Sequence, residues 1–281
     1  MTVLKIAPLI YSRTLHCDFH TNFAVRPKDI DVTWARNKVL LAMNNINNLN
    51  GIRKIVAAKG DICIAGIGCN LSDFIEKNLP EVKESAEKYF QDDNGRYIKV
   101  FLGYAFKGSS IPDVSDLNLW KMFEKYFTPE WERKFFETVI APYDYEVSEK
   151  NSVKDIPNGE KVSNINFYVD ETTSDKLVDY CLTERKNLCT NVDQMKIIDS
   201  GEFEIILTSR GLIDRFKSEQ EKKTSVIQST QKAQESTQRF TQKNNPPLQT
   251  QTSNNQKISL KTLSIGVAIL IILAVVFLFM K

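Results

Sequence analysis

The chain has 281 residues, of which 42% are hydrophobic and 26% are charged, and its formal net charge at pH 7 is +2. This average composition is typical of a globular protein, and it excludes a collagen, a wholly disordered chain and a membrane protein with many spans. The small net charge excludes a strong whole-chain field that would attract nucleic acid, so no nucleic-acid partner is predicted.

Residues 1–110 are predicted to form an α+β unit. Apolar, β-prone runs indicate strands, and apolar residues at helical spacing after the candidate N-cap Asp31 indicate a helix. Between residues 23 and 106 the element order is β-α-β-β-α-β, which is the pattern of a ferredoxin-like unit. The predicted elements are strands at 3–11 and 23–26, a helix from Asp31, a hairpin around Lys59-Gly60, a helix from Asn70 and a strand at 97–106.

An aromatic helical insert is predicted at 111–145. Thr128-Pro129 predicts the restart of a helix, because a hydroxyl side chain can cap a helix and proline fits its first turn. Aromatic residues at helical spacing are typical of a buried core. If one face of the insert is exposed, however, it is the best candidate surface for docking a partner. The candidate partner-binding residues are Trp120, Phe123, Trp131 and Phe135.

Residues 146–217 are predicted to form a second α+β unit of order β-α-β-β-α. Aligning Gly60 with Gly201 also aligns Leu71-Ser72-Asp73 with Leu212-Ile213-Asp214, which suggests an internal duplication into two similar packed sheets. The alternative is that the two halves share an element order by chance. The predicted elements are strands at 165–169, 195–198 and 202–207, a helix at 173–187 and a helix from Leu212.

Both histidines of the chain lie in one short stretch. On an extended strand, His16, Asp18 and His20 would point to one face and could form a two-histidine, one-carboxylate metal site. Such sites usually draw a ligand from a distant part of the chain, so a solvated strand is the favoured interpretation. No metal or other cofactor is predicted.

The remaining residues contain no recognisable catalytic motif. Gly66 and Gly68 lack the third glycine of a dinucleotide-binding loop, and they follow the second arm of a hairpin. The five cysteines lack the spacing of a zinc site, and free thiols are expected for them in a reducing compartment. The cysteines are Cys17, Cys63, Cys69, Cys181 and Cys189.

A composition change marks a linker at 218–259. This stretch is rich in Gln, Thr, Ser, Asn and Lys, and it holds too few apolar residues to offset the entropy of ordering. We therefore expect the helix from Leu212 to end near Lys223 and the rest to be disordered. A coiled-coil segment is the alternative, but the apolar residues after Phe216 do not follow regular heptads.

Residues 263–280 are predicted to form a transmembrane helix. This run contains no charged residue, and a helix of its length would span about 27 Å, close to a hydrocarbon core of roughly 30 Å. Lys257 and Lys261 precede it and favour a cytosolic location for the upstream chain. The predicted lipid-facing residues are Leu263, Ile265, Val267, Ile269, Leu270, Ile271, Ile272, Leu273, Val275, Val276, Phe277, Leu278, Phe279 and Met280.

These features together predict a single-pass, tail-anchored membrane protein with a cytosolic N-terminus, because residues 1–20 lack the extended apolar region of a secretory signal. The endoplasmic reticulum or the nuclear envelope is favoured over the mitochondrial outer membrane. The expected role is non-catalytic: an α+β head that binds a partner protein or a second copy of itself. The alternatives are a membrane-tethered enzyme whose site is assembled from distant residues, and a viral envelope or egress protein.

Overall fold

The computed structural model describes residues 3–13, 22–43, 51–115, 117–126 and 138–243, with side chains as far as residue 226. Residues up to Thr224 form one compact unit, which we call the head. The head has a mixed α+β fold in which helices pack on a large mixed sheet.

The sheet contains twelve strands, and the order of those on its main path is β6-β8-β1-β5-β4-β3-β11-β12-β10-β9. The strands are β1 (Val3–Ser12), β2 (Val25–Arg26), β3 (Arg53–Lys59), β4 (Ile62–Asn70), β5 (Lys99–Lys107), β6 (Ile111–Pro112), β7 (Val139–Ile140), β8 (Tyr145–Lys150), β9 (Glu160–Val162), β10 (Ile165–Tyr168), β11 (Leu188–Val192) and β12 (Ile205–Thr208).

Seven α-helices lie within the described residues, together with short 3-10 turns at Pro80–Val82, Glu87–Tyr89 and Glu171–Thr173. The helices are α1 (Val32–Met43), α2 (Leu71–Asn78), α3 (Lys83–Ala86), α4 (Leu119–Tyr126), α5 (Ser174–Glu184), α6 (Met195–Asp199) and α7 (Arg210–Lys243). The helix expected to end near Lys223 thus continues to Lys243.

The first half of the sheet is antiparallel. β4 pairs with β3 on one side and with β5 on the other, and β1 pairs with the far side of β5. This pairing differs from the predicted ferredoxin-like unit, in which the first strand would lie between the third and the fourth. The corresponding first strand, β2, has two residues and pairs with β1 and β7 instead.

The second half of the sheet is parallel at its centre, because β12 pairs in parallel with both β10 and β11. Parallel neighbours need a crossover connection, and α6 lies in the crossover from β11 to β12. The strand predicted at 195–198 is therefore wrong: the segment is a helix that buries Ile197 and Ile198. Strands β8 and β9, which also precede residue 164, are not among the predicted elements.

Both halves belong to one continuous sheet, so the prediction of two packed sheets is wrong. β3 from the first half and β11 from the second pair antiparallel, with Val56 opposite Leu188 and Ile55 opposite Cys189. This pair, which we call the seam, also shows that boundaries at 110 and 146 do not divide the sheet.

Side chains extend the short seam in both directions. The Lys54 N–H donates to Thr190 Oγ1 at 2.8 Å, and the Ala58 N–H donates to Asn187 Oδ1 at 3.1 Å. Two backbone groups of β3 that lie beyond the two ladder pairs are thereby satisfied across the seam, as buried backbone groups require.

Arg53 lies at one end of the seam and is 1% exposed. Its Nη1 donates to the carbonyl oxygen of Ala42 at 2.6 Å, and its Nε donates to the carbonyl oxygen of Asn191 at 3.0 Å. Its Nη2 also forms an ion pair with Asp193. One guanidinium therefore connects the end of α1, strand β3 and the segment that contains β11.

Two apolar clusters pack against the sheet. The two clusters lie on opposite faces of the sheet, because successive side chains of a strand point to opposite faces. On β4, Ile64 belongs to the first cluster, and Cys63 and Ala65 belong to the second. The first cluster includes Val39 of α1, Phe74 of α2, Phe123 of α4 and Phe216 of α7, and the second includes Leu177, Cys181 and Leu182 of α5.

Glycine is required where the paired strands β4 and β5 lie against the ring of Phe101. Gly66 and Gly103 face each other, and a Cβ atom on Gly66 would lie 2.5 Å from the Gly103 Cα atom and 2.8 Å from Phe101 Cζ. Such distances leave no room for a side chain at either position. Gly66 and Gly68 are thus residues within a strand, and they do not form a phosphate-binding loop.

We expect substitution of Arg53 by Met to lower the free energy of unfolding by about 3 kcal/mol or more, because two buried carbonyl oxygens lose their donor. Urea unfolding of the full chain in detergent measures the change. The control is Lys54→Met at the neighbouring position, where the lost partner Asp175 has a side chain that is 89% exposed. A cost for Arg53→Met no larger than for the control would contradict the structural role of Arg53.

Candidate functional site

Several predicted site residues lie outside the described residues: the candidate metal ligands His16, Asp18 and His20, the aromatic residues Trp131 and Phe135, and the whole run 263–280. Within the part of the chain that the structure describes, no group of three or more His, Cys, Asp or Glu side chains is arranged to hold a metal ion. No helix of that part is long and apolar enough to cross a membrane.

Trp120 and Phe123 belong to the core. Their exposed fractions are 3% and 0%, their rings stack with centroids 5.3 Å apart, and both contact Tyr89. The interpretation of these two residues as a docking surface is therefore wrong, since α4 turns them towards the sheet. The indole Nε1 of Trp120 is buried and has no acceptor among the described residues.

Four of the cysteines are buried free thiols, namely Cys63, Cys69, Cys181 and Cys189. Burial raises the pKa of each, to about 12 for Cys189, and so disfavours the reactive thiolate. The Arg185 guanidinium donates to Cys63 Sγ at 3.1 Å and partly opposes this shift. These thiols serve packing; Cys17 lies outside the described residues.

The candidate site is an open cleft of about 770 Å³ at the N-terminus of α2, which we call the α2 cleft. Its volume is large enough for a small molecule or a short stretch of polypeptide. Its lining residues are Gly51, Asn70, Ser72, Asp73, Glu76, Lys83, Glu87, Lys88, Phe90, Gln91 and Tyr97.

The first turn of α2 contributes polar groups to the cleft. Asn70 is the N-cap residue but makes no side-chain cap; its Nδ2 donates instead to Asp73 Oδ2 at 3.0 Å. Ser72 is 7% exposed, and its hydroxyl makes no hydrogen bond within the described residues. Ser72 thus presents to the cleft a hydroxyl that is not fully buried and that no described residue uses.

Charged side chains line the remaining walls. Lys83 Nζ donates to Glu76 Oε1 at 2.7 Å, and this hydrogen bond raises the pKa of Lys83. Lys88 Nζ lies 4.8 Å from the centroid of the Tyr89 ring. Glu87 is exposed and makes no ion pair with a described residue, and Tyr97 is 53% exposed. The cleft therefore presents an exposed carboxylate, whose charge also acts on Lys83, and an accessible aromatic ring.

A cross-strand row of polar residues leads away from the cleft. Asn70 on β4 is paired with Lys99 on β5, and the Arg13 N–H donates to the carbonyl oxygen of Lys99 at 3.4 Å. Lys99 and Arg13 are 8% and 9% exposed. Burial, followed by the nearby charge of Arg13, lowers the pKa of Lys99 to about 8.

The sequence correctly predicts a helix that begins at Asn70, but it does not identify a cleft. The cleft forms only when the segment from Lys83 to Tyr97 returns beside α2, where the Ile98 carbonyl oxygen accepts a hydrogen bond from the Leu71 N–H at 2.9 Å. The local pattern of neither segment contains that contact.

Comparison with known protein families, with curated proteins and with solved structures finds no match for this chain.

Lys99 should make stability depend on pH in the alkaline range. Its pKa of about 8 in the folded chain lies below the ordinary value of 10.5, so the unfolded chain binds this proton more tightly. Stability should therefore rise as pH increases from about 8 towards 10.5, and the gain should be lost as pH falls through 8.

The variant Lys99→Met tests this by urea unfolding at pH 7 and at pH 10. We expect the variant to gain stability relative to the wild type at pH 7 and to lose that advantage at pH 10. Lys107→Met is the control. Hydrogen bonding to Asp29 raises the pKa of Lys107, so this substitution should change stability with pH in the opposite direction. A Lys99→Met advantage that is equal at both pH values would contradict the assignment.

The core role of Trp120 predicts a large loss of stability on truncation. Trp120→Ala should lower the free energy of unfolding by about 3–5 kcal/mol, whereas Trp120→Phe should cost less because the indole Nε1 has no acceptor to lose. Urea unfolding of the full chain in detergent measures both. If Trp120→Ala left stability unchanged, the residue would be available for docking after all.

Proposed function

We propose that the chain is a tail-anchored membrane protein whose α+β head binds a partner protein on the cytosolic side. The observation that carries the proposal is the run at 263–280, eighteen consecutive uncharged residues that contain one polar side chain, Ser264. A run of that length and composition is stable as a helix in a bilayer, where each backbone polar group must be satisfied within the segment.

The order of segments along the chain supports a head and an anchor that are separate in sequence. The compact unit of the head ends at Thr224, well before the apolar run begins. Residues 244–261 between them are polar and include Pro246-Pro247, which favours a tether over a packed element. Lys257 and Lys261 next to the apolar run favour the cytosolic side for the head.

Several titratable groups of the head have shifted pKa values. Ion pairs and hydrogen bonds hold the pKa of Glu160 and Asp170 below the ordinary values, and burial raises the pKa of the core thiols. Each of these groups is engaged in a contact that stabilises the head. In the enzyme alternative, a Ser-His-Asp or Cys-His-Asn site would have to recruit His16 or His20, the two histidines of the chain.

Membrane topology is tested by attaching a short glycosylation acceptor to either end of the full chain and expressing it with endoplasmic reticulum membranes. We expect glycosylation of the acceptor placed after Lys281 and none of the acceptor placed before Met1. The protein should also remain with the membranes in alkaline carbonate.

The matched control replaces Ile271 at the centre of the run with Arg, which should cost about 3 kcal/mol of insertion free energy and reduce carbonate resistance. Ser264→Arg at the edge of the run should have a smaller effect. Glycosylation of the N-terminal acceptor, or release of the wild-type chain by carbonate, would refute the proposed topology.

A further inference from the structure

We infer that the α2 cleft binds an extended polypeptide segment that carries basic side chains. The inference rests on the proposed function, because it assigns the partner-binding role of the head to one site and gives the chemistry of the partner. It is carried by Ser72, by the carboxylates beside it and by the exposed aromatic ring at the rim.

Ser72 provides the first argument. The residue is 7% exposed, and its hydroxyl is not among the fully buried polar atoms, so it opens to solvent and makes no hydrogen bond within the described residues. Because Ser72 lines the cleft, a ligand can replace water as the hydrogen-bond partner of this hydroxyl. A hydroxyl can donate to a peptide carbonyl oxygen or accept from a peptide N–H, and an extended main chain offers both groups.

The carboxylates give the sign of the charge. Asp73 is half-buried next to Ser72, and Glu87 is an exposed carboxylate that also lines the cleft. The lining as a whole holds three carboxylates, Asp73, Glu76 and Glu87, against two lysines, Lys83 and Lys88. An anionic ligand such as phosphate would approach Asp73 and Glu87 directly, which disfavours it, whereas a basic side chain would be attracted to both.

The surrounding sequence extends this negative character. Residues 71–97 contain seven acidic and four basic side chains, a net charge of −3, although the whole chain is at +2. Charge of this kind steers an oppositely charged partner towards the site and raises the rate of association. The cleft therefore lies in the part of the head that favours a cationic partner.

Size and the aromatic ring favour a polypeptide over a small cation. The cleft of about 770 Å³ is open to solvent and larger than a single ammonium group needs. Tyr97, 53% exposed at the rim, can pack its ring against a Lys or Arg side chain through a cation–π contact. Main-chain groups would meet Ser72 while basic side chains meet Asp73, Glu87 and Tyr97.

The test uses the full chain in detergent micelles and three fluorescent synthetic peptides of about eight residues. The peptides alternate threonine with lysine, with glutamate or with glutamine, and fluorescence anisotropy measures binding. We expect the lysine peptide to bind most tightly and to weaken as salt increases, because the contacts are exposed charge pairs. Equal or tighter binding of the glutamate peptide would overturn the inference.

Two substitutions locate the binding in the cleft. Ser72→Ala should weaken binding of the lysine peptide by about five-fold through a lost hydrogen bond, and Glu87→Gln by about two-fold to three-fold through a lost exposed charge pair. The matched controls are Ser85→Ala and Glu81→Gln, at exposed positions nearby that do not line the cleft. Both controls should bind as the wild type does.

The free energy of unfolding of Ser72→Ala distinguishes a binding role from a structural role. Since the hydroxyl has no partner in the head, its removal should leave the free energy of unfolding unchanged or raise it. A variant that unfolds more easily would show that Ser72 is a structural residue. Unchanged peptide binding by both Ser72→Ala and Glu87→Gln would overturn the cleft assignment while leaving the proposed membrane topology intact.

Discussion

The buried guanidinium of Arg53 is the contact on which the arrangement of the head depends. A charged side chain is costly to bury, and Arg53 offsets that cost by donating to carbonyl oxygens of Ala42 and Asn191 and by pairing with Asp193. Ala42 lies in the last turn of α1, Asn191 lies in β11, and Asp193 directly follows β11. One side chain thus determines how the two halves of the chain meet.

The seam explains why twelve strands form a single sheet. β3 and β11 share two ladder pairs, which is a short junction, and the side chains of Thr190 and Asn187 lengthen it by accepting from backbone groups of β3. With the sheet continuous, α5 covers one face and α1, α2, α4 and α7 contribute to the cluster on the other. The α2 cleft lies at the end of β4, so its walls are held by the same sheet.

Sequence reasoning predicted the elements whose signals are local. Strands β1, β4 and β5 are long apolar runs, and α1 and α2 follow residues that suit N-caps. It failed where pairing between distant segments decides the structure. The five-residue strand β11 has no pattern of its own, and α6 reads as a strand because its two isoleucines are adjacent. The burial of Arg53 could not be predicted, because its two carbonyl acceptors, on Ala42 and Asn191, cannot be identified from the sequence. The α2 cleft could not be predicted either, because it forms only when residues 83–97 pack beside α2.

The most direct test of this account is native-state hydrogen exchange on the head within the full chain. If the seam makes one cooperative sheet, the amides of β3 and β11 should exchange with the same free energy of opening, equal to that of β4 and β5. If the amides of β10, β11 and β12 instead exchange together at a clearly lower free energy than those of β4 and β5, the two halves open independently. That result would contradict the role assigned to Arg53.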